Sequence, residues 1–454
     1  MKIALVGGGG FRAPIVWEAL AELGPPAAVT LLALHDVDDD RLARVGAVVE
    51  GLRRERGGGP AVVTTTSLDA AVDGASAVLC SIRVGELDAR VVDERVPLDH
   101  GVLGQETVGP GGICFALRTI PAVVDVARVV AARAPSSWFV NFTNPAGLVT
   151  EAVRGVVGDR AVGICDSPAA LCARVAHALG RDARELDFDY AGLNHLGWLL
   201  AARAGGTDLL PGLVADDRRL GAVEEARLVG LGAVRALGAV PNEYVVYYER
   251  TGEVVDELRR RGTTRAEVLL PQQSRFYERR DDDPAAALAA WRRAKDERFD
   301  TYMAEARDHD TTSPPHPTGD GAEAPDAGDA GYASIAAAFV RAVAGGAPAT
   351  LTLDVANRGR IPALGDDDVV ELPSDVGAGG VAPRPVSRLP APLEELVVRV
   401  KEVERNTLAA VTQRSRARAL DALASHPVVP SRDVAERILL GYLAAFPGLA
   451  RRLR

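Results

Sequence analysis

Lys2-Ile3-Ala4-Leu5-Val6 runs directly into Gly7-Gly8-Gly9-Gly10-Phe11-Arg12, and Ala13–Leu23 follows before Gly24-Pro25-Pro26. The apolar run predicts a first strand, the glycines a tight turn, and the alanine- and leucine-rich stretch a helix stopped by Gly-Pro-Pro. A strand that turns through glycines into a helix presents backbone N–H groups and a helix N-terminus to one point, where a pyrophosphate is stabilised. Asp36 closes the next candidate strand, Val29–Leu34, at the place where an acid accepts the ribose hydroxyls of NAD. Gly7, Gly9, Gly10, Phe11, Arg12 and Asp36 are therefore the candidate cofactor contacts. Arg12 stands where the third glycine of such a turn is expected, and a glycine turn that binds nothing reads the same locally.

Outward from this unit, short β-rich runs continue to alternate with helical patterns. Ala61–Thr65, Ala77–Ile82, Trp138–Asn141 and Ala161–Ile164 are candidate strands, the signature of parallel βαβ units. The expected fold class is α/β: a Rossmann-like doubly wound sheet over residues 1–165, followed by a mixed α+β substrate and metal domain over 166–454. In that second part helices dominate, with candidate strands only at Ala191–Leu200, Thr350–Asp354 and 368–372. Residues 307–331 are rich in Pro, Gly, Asp and Thr with little to bury, which predicts a mobile surface loop whose His309 and His316 are solvated.

Composition narrows the function classes. The chain has 454 residues, 47% hydrophobic and 25% charged, enough to bury cores in two or three domains. Net charge is -10, and no basic footprint for nucleic acid is expected. Lysine occurs only at Lys2, Lys295 and Lys401, a bias of composition from which no activity is drawn. Four cysteines, none in a CxxC pair, argue against a disulfide framework and for a reducing compartment. No stretch reaches the roughly 18 uncharged apolar residues of a membrane span, and the amino terminus lacks a signal-peptide pattern. A cytoplasmic enzyme, neither exported nor membrane-embedded, is expected.

Two strand ends carry chemistry-bearing residues. Asn141-Phe142-Thr143-Asn144-Pro145 ends one strand with two amides and a proline, at the edge where open α/β sheets place ligand-contacting loops. A turn whose amides satisfy neighbouring backbone groups fits the same residues. Gly163-Ile164-Cys165-Asp166-Ser167-Pro168 ends the next strand on that edge, and Asn194-His195 follows within Gly192–Gly197. One thiolate and one imidazole are able to hold a divalent ion and leave positions for substrate oxygens. A cysteine at a strand end is equally ordinary buried packing, and spacing alone leaves that choice open.

Further segments make the pattern specific: RVGELDAR (83–90), GVLGQETVGPGG (101–112), NFTNPAGLVTEAV (141–153), VGICDSP (162–168), GLNHLGW (192–198), PNEYVVYYE (241–249), TTRAEV (263–268), NRGRIPALGDDDVVELP (357–373) and LASHPVVPS (423–431). With IALVGGGG at the start, these resemble, in order and over nearly the whole chain, glycoside hydrolase family 4, the NAD- and metal-dependent glycosidases. Within that family the chain is most similar to the 6-phospho-β-glucosidases.

The resemblance implies Cys165 and His195 as metal ligands, with Mn²⁺ the usual ion. It implies Tyr244 as the base at sugar C2, with Asp166, Tyr247 and Tyr248 as alternatives. It also implies Arg90 as a contact to a 6-phosphate, Asn144 and Asn194 as substrate contacts, and Arg265 as a neighbour of sugar and base. Each has a plain structural alternative: an ion pair of Arg90 with Asp93 or Glu94, core packing of the tyrosines, a capped helix start at Thr264-Arg265-Ala266-Glu267. Two departures bear on selectivity. Asp166 stands where the β-glucosidase branch often has Asn, and the segment after Val268 lacks the acidic pattern of relatives.

The route implied runs through transient oxidation at C3, proton removal at C2, β-elimination of the C1 leaving group, water addition and re-reduction, a stated exception to two-carboxylate glycosidases. The expected partner is a small phosphorylated glycoside, and a homodimer or homotetramer is expected. The alternatives are an NAD-dependent sugar (phosphate) or hydroxy-acid dehydrogenase, a non-catalytic NAD sensor, and a family 4 enzyme acting on α-glycosides or unphosphorylated sugars.

Overall fold

The computed structural model describes residues 1–278, 283–300 and 329–454. Its centre is β1 (Lys2–Val6), whose alternate residues serve two faces. Ile3 and Leu5 pack into one core with Trp17 and Leu34, while Ala4 and Val6 pack into another with Val78, Ile120 and Phe139. Both faces of a parallel sheet are covered by helices, so the buried residues of the strand, Ile3 to Val6, are all apolar. α1 (Ala13–Ala21) ends two residues before the expected Leu23.

β2 (Leu31–His35), β3 (Ala61–Thr65), β4 (Ala77–Cys80), β5 (Trp138–Asn141) and β6 (Ala161–Gly163) join β1 in the order β3-β2-β1-β4-β5-β6, all parallel. This is the doubly wound dinucleotide-binding order, whose direction reverses between β1 and β4 and opens a crevice at their carboxyl ends. The crossovers are α2 (Asp39–Arg56), α3 (Leu68–Val72), then α4 (Glu86–Asp99) with α5 (Pro110–Arg133), and α6 (Ala146–Val157).

Beyond β6, α7 (Ser167–Ala178) leads into β7 (Asp187–Leu193) and β8 (Leu196–Ala204). The expectation of one strand over Ala191–Leu200 is corrected here. Leu193 pairs with Leu196, so Asn194-His195 is a two-residue hairpin turn. His195 takes a left-handed φ of 62°, a conformation usually left to glycine, which is why the turn has no glycine to announce it.

β9 (Thr207–Asp208), β10 (Val240–Pro241), β11 (Ala349–Ala356), β12 (Val369–Gly377) and β13 (Gly380–Pro383) complete the sheet. Its path runs on from β6 through β11, β12, β7 and β8 to β10, every added pairing antiparallel. Asp354 of β11 faces Gly163 of β6, so the antiparallel half is hydrogen-bonded directly to the parallel half. A long helix, Ala391–Gln413, lies across the junction. Its Lys401 is fully buried, donates to the Val369 carbonyl (2.7 Å) and Glu151 (3.0 Å), and pairs with Glu404. Of the surface loop expected over 307–331, residues 307–328 lie outside the described residues, and 329–331 open the helix Asp329–Val343. No helix among the described residues is long and apolar enough to cross a membrane.

Candidate active site

The crevice at the β1/β4 switch is a cleft of about 820 Å³. Gly7 enters it with φ 89°, and a Cβ there would lie 2.1 Å from the Ser81 carbonyl oxygen, so β1 can pass β4 only as glycine. The N–H groups of Gly7 and Gly8 both donate to the His35 carbonyl, and that of Gly10 to the Gly7 carbonyl, which closes the turn. Asp36 receives the Gly9 N–H on Oδ2 (3.1 Å) and the Val37 N–H on Oδ1 (2.8 Å), which holds its carboxylate on the cleft wall.

Gly7, Gly10, Phe11, Arg12 and Asp36 line the cleft. Phe11 turns its ring onto Phe276 and Trp291. Arg12 lies 5.0 Å over the Tyr332 ring. Tyr277, at the end of the helix Arg265–Tyr277, donates to the Gly9 carbonyl (3.0 Å), so this later helix buttresses the glycine turn.

The same cleft is lined by Arg83, Arg90, Asn144, Gln273 and Arg298. Arg90 is buried, not the surface partner that its i,i+4 spacing to Glu94 also allowed: Nε bonds Glu94 (2.6 Å) and Nη1 reaches Glu106 (3.0 Å). Glu106 also takes Arg83 at 2.6 Å. Burial raises the Glu106 pKa, but Arg83, Arg90 and Arg298 together hold it well below the usual carboxylate range. Three guanidinium groups beside the Glu94 and Glu106 carboxylates leave this part of the cleft with net positive charge, which suits an anionic group.

The two amides of NFTN separate. Asn141 is fully buried and donates to the carbonyls of Thr143 and Ala146 and to Thr150 Oγ1, a turn-building role. Asn144 Oδ1 is buried without a hydrogen-bond partner among the described residues. A buried acceptor left so costs stability unless a ligand supplies the donor.

His195 shows the same property with its orientation fixed. The Thr107 hydroxyl lies 3.0 Å from Gln105 Oε1, an acceptor, and 2.9 Å from His195 Nδ1. Gln105 Oε1 also receives the Thr107 and Val108 N–H groups (2.6 Å each), so the loop that holds this hydroxyl against Nδ1 is itself fixed; in the tautomer with the proton on Nδ1, Nε2 carries the lone pair. Nε2 is buried and has no partner among the described residues. Burial pushes the imidazole pKa down to about 3, against the opposite pull of Glu106, so the ring is neutral. Its face stacks on Tyr244 with centroids 3.6 Å apart and planes 7° from parallel.

Cys165 is buried at the end of β6, 3.7 Å from the Tyr332 hydroxyl and 4.0 Å from Asp166 Oδ1. Burial first, then the charges of Glu371 and Asp166, push its thiol well above the usual range, so only a neighbouring cation would keep it as thiolate. Electrostatic reach ties the set together: Tyr332 feels Asp166, Cys165 and Tyr244, and Arg90 feels Tyr244. Among the described residues no group of three or more His, Cys, Asp and Glu side chains is placed to hold a metal ion, so a cation held by Cys165 and His195 would have to complete its shell with substrate or water oxygens.

Residues 2–181 match the Family 4 glycosyl hydrolase description, and residues 190–429 match the Family 4 glycosyl hydrolase C-terminal domain. The chain belongs to family 4 of the glycosyl hydrolases. This family 4 enzyme is 30% identical to the probable 6-phospho-beta-glucosidase of Bacillus subtilis, over 97% of this chain and 95% of that one. It is 28% identical to 6-phospho-alpha-glucosidase 1 of Lacticaseibacillus paracasei, over 96% and 95%. The 6-phospho-beta glucosidase of Thermotoga maritima, solved with manganese, NAD+ and glucose-6-phosphate, superposes at TM-score 0.80 with 25% identity over 99% of both chains. A 6-phospho-alpha-glucosidase from gut microorganisms, in complex with NAD and glucose-6-phosphate, gives TM-score 0.80 and 25% identity over 99% and 98%.

Arg265 sits apart from the cleft lining. It opens a helix capped by the reciprocal Thr264/Glu267 box and donates to the Arg298 carbonyl (2.9 Å). Tyr247 is a buried core residue and Tyr248 stacks on His426, so neither shares the face that Tyr244 presents to His195. Sequence reasoning missed Thr107 and Gln105, which lie inside a quoted segment, and Arg298, Tyr332 and Glu371. Tyr332 follows a low-complexity stretch, and no local pattern marks it.

Proposed function

We propose that this family 4 enzyme is an NAD- and divalent-metal-dependent 6-phospho-β-glucosidase. The observation that carries the reading is His195, a buried neutral imidazole with Nδ1 held by Thr107, Nε2 bare, and its face against Tyr244. The printed ligands of the Thermotoga maritima structure, manganese, NAD+ and glucose-6-phosphate, support it.

Bound NAD and a divalent ion supply reversible oxidation of the sugar C3 hydroxyl and polarisation of its oxygen. The chain does the rest. Asp36 and the glycine turn hold the ribose and pyrophosphate end, so that the reactive end of the cofactor reaches the arginine-lined part of the cleft. Arg90, with Arg83 and Arg298 beside it, grips the 6-phosphate. Asn144 Oδ1 accepts from a sugar hydroxyl. Cys165 and His195 Nε2 hold the cation. The Tyr244 phenolic oxygen takes the C2 proton, and the C1 substituent leaves by β-elimination. Water adds at C1, the proton returns to C2, C3 regains the hydride it gave up, and no net oxidation remains.

A second reading is favoured by one residue: Asp166 beside Cys165 supports α-anomer specificity. A panel of α- and β-nitrophenyl glucosides and galactosides, with and without a 6-phosphate, run with NAD+ and Mn²⁺ under reducing conditions in D₂O, decides between them. The expected result is release from the 6-phospho-β-glucoside with deuterium at C2 of the sugar. Release from the α-anomer alone moves the assignment to the second reading, and steady accumulation of NADH without hydrolysis overturns both in favour of a dehydrogenase.

A further inference from the structure

We propose that Glu371 is a positioning residue that holds the His195 turn and the Tyr244 turn in register, one carboxylate oxygen serving each. Glu371 lies in β12, 1% exposed, and is contacted from two sides. Asn194 Nδ2 donates to its Oε1 at 3.1 Å, and Asn194 is the residue before His195 in the hairpin turn. The Tyr190 hydroxyl donates to its Oε2 at 2.8 Å. Tyr190 in turn accepts from Asn242 Nδ2 at 3.0 Å, and Asn242 Oδ1 accepts the Tyr244 N–H at 3.1 Å. A single continuous chain therefore runs from the Tyr244 backbone through Asn242, Tyr190 and Glu371 to Asn194 and the His195 turn.

The surrounding backbone is shaped around this chain. A Cβ at Gly197 would lie 2.1 Å from the Tyr190 hydroxyl, so that residue must be glycine for the phenol to cross β8. The Asn242 N–H donates to the Gly197 carbonyl (2.9 Å), which closes the Tyr244 turn onto the same point. Glu371 also faces Gly192 of β7 in register, and a Cβ at Gly192 would meet the Leu196 carbonyl at 2.3 Å. On its other flank Glu371 is directly opposite Asp354 of β11. Burying a carboxylate is costly unless its lone pairs are used, and here both oxygens tie down turns that carry the stacked His195 and Tyr244.

The proposal rests on the roles of Tyr244 and His195 given above, and its test separates the two arms. Glu371→Gln keeps the volume and removes the charge; Tyr190→Phe keeps the ring and cuts only the Tyr244 arm. Each is measured for kcat and KM on the nitrophenyl 6-phosphoglucoside that the panel selects, for Mn²⁺ binding to metal-free protein by electron paramagnetic resonance, and for thermal unfolding. Tyr190→Phe should lower kcat roughly 10–100-fold, the range for a hydrogen bond to a charged group, with KM and Mn²⁺ affinity unchanged. Glu371→Gln should lower kcat comparably and also weaken Mn²⁺ binding roughly tenfold or more. The double variant should be no slower than the slower single, since both cut one chain.

Multiplying kcat losses in the double variant, or a Glu371→Gln enzyme with unchanged kcat and Mn²⁺ affinity, would overturn the proposal. If Glu371→Gln does not fold, Asn242→Ala reads the Tyr244 arm: lower kcat at unchanged Mn²⁺ affinity supports the proposal, and loss of both or neither overturns it. Turnover by the native enzyme with no deuterium at C2 rejects Tyr244 as base, and the Mn²⁺ measurement then still decides whether Glu371 holds the His195 turn.

Discussion

The rings of His195 and Tyr244 lie face to face, 3.6 Å between centroids and 7° from parallel, although 49 residues of chain separate them. The imidazole is buried and neutral, so the phenol ring meets an uncharged face on that side. Tyr244→Phe keeps that stack and deletes only the oxygen. Its thermal midpoint should match the native protein, while turnover falls by about 10²–10⁴-fold, the range of general base catalysis. Proton NMR of sugar released in D₂O checks the assignment: C2 deuteration retained in Tyr244→Phe moves the base to Asp166.

The His195 ring is held at Nδ1 by one hydroxyl, that of Thr107. Thr107→Val is close in volume and removes the hydroxyl that holds Nδ1 (2.9 Å), so the imidazole loses its fixed orientation. Mn²⁺ affinity of the metal-free protein should fall about 10–100-fold, and fold and NAD⁺ binding should persist. Titration of both ligands onto the variant measures this, and native Mn²⁺ affinity would remove Thr107 from the site.

Asp36→Ala should weaken NAD⁺ binding more than it slows turnover at saturating cofactor. A carboxylate that holds the cofactor ribose would do so in ground and transition state alike, and such uniform binding does not change kcat. Calorimetric titration of NAD⁺ beside kcat at saturation tests the split. The substitution also frees the Gly9 N–H, so a fall in the thermal midpoint is expected with it.

Lys401 carries one of the most heavily buried charges in the fold, between Glu151 and Glu404. Lys401→Met fills the space but leaves two carboxylates without their cation. Breaking a buried pair in this way costs about 3–5 kcal/mol, read as a lowered denaturant midpoint. Lys401→Met with Glu404→Gln should recover part of the loss, because one of the stranded charges goes with it.

His426 is buried against Tyr248, accepts the Val428 N–H on Nδ1, and has its pKa pushed down to about 3 by burial and then by Arg399. The unfolded chain binds a proton below 6.5 while the folded one does not. Stability from this group is therefore complete above that pH and is lost as pH falls toward about 3, at up to about 1.4 kcal/mol per pH unit. Unfolding of His426→Gln between pH 7 and 5 should show a slope shallower by up to one proton, and identical slopes would refute the assignment.

What the sequence by itself determined is local. Lys2–Val6, Ala61–Thr65 and Trp138–Asn141 have the bounds read from their apolar runs, and Gly7–Gly10 with Asp36 announced the cleft, because a turn or a strand is set by neighbours within a few residues. Tertiary structure decided everything that depends on residues far apart. It turned Ala191–Leu200 from one strand into a hairpin, since a left-handed His195 does what a glycine signal would have marked. It separated Asn141, used up by its own turn, from Asn144, whose Oδ1 is left without a partner among the described residues. It carried Tyr332 to Cys165 and Glu371 to Tyr190 and Asn194 across 167, 181 and 177 residues. The physical reason is that the charge state and orientation of a buried polar group follow from which atoms surround it, and for these residues those atoms arrive only when the antiparallel strands close onto β6.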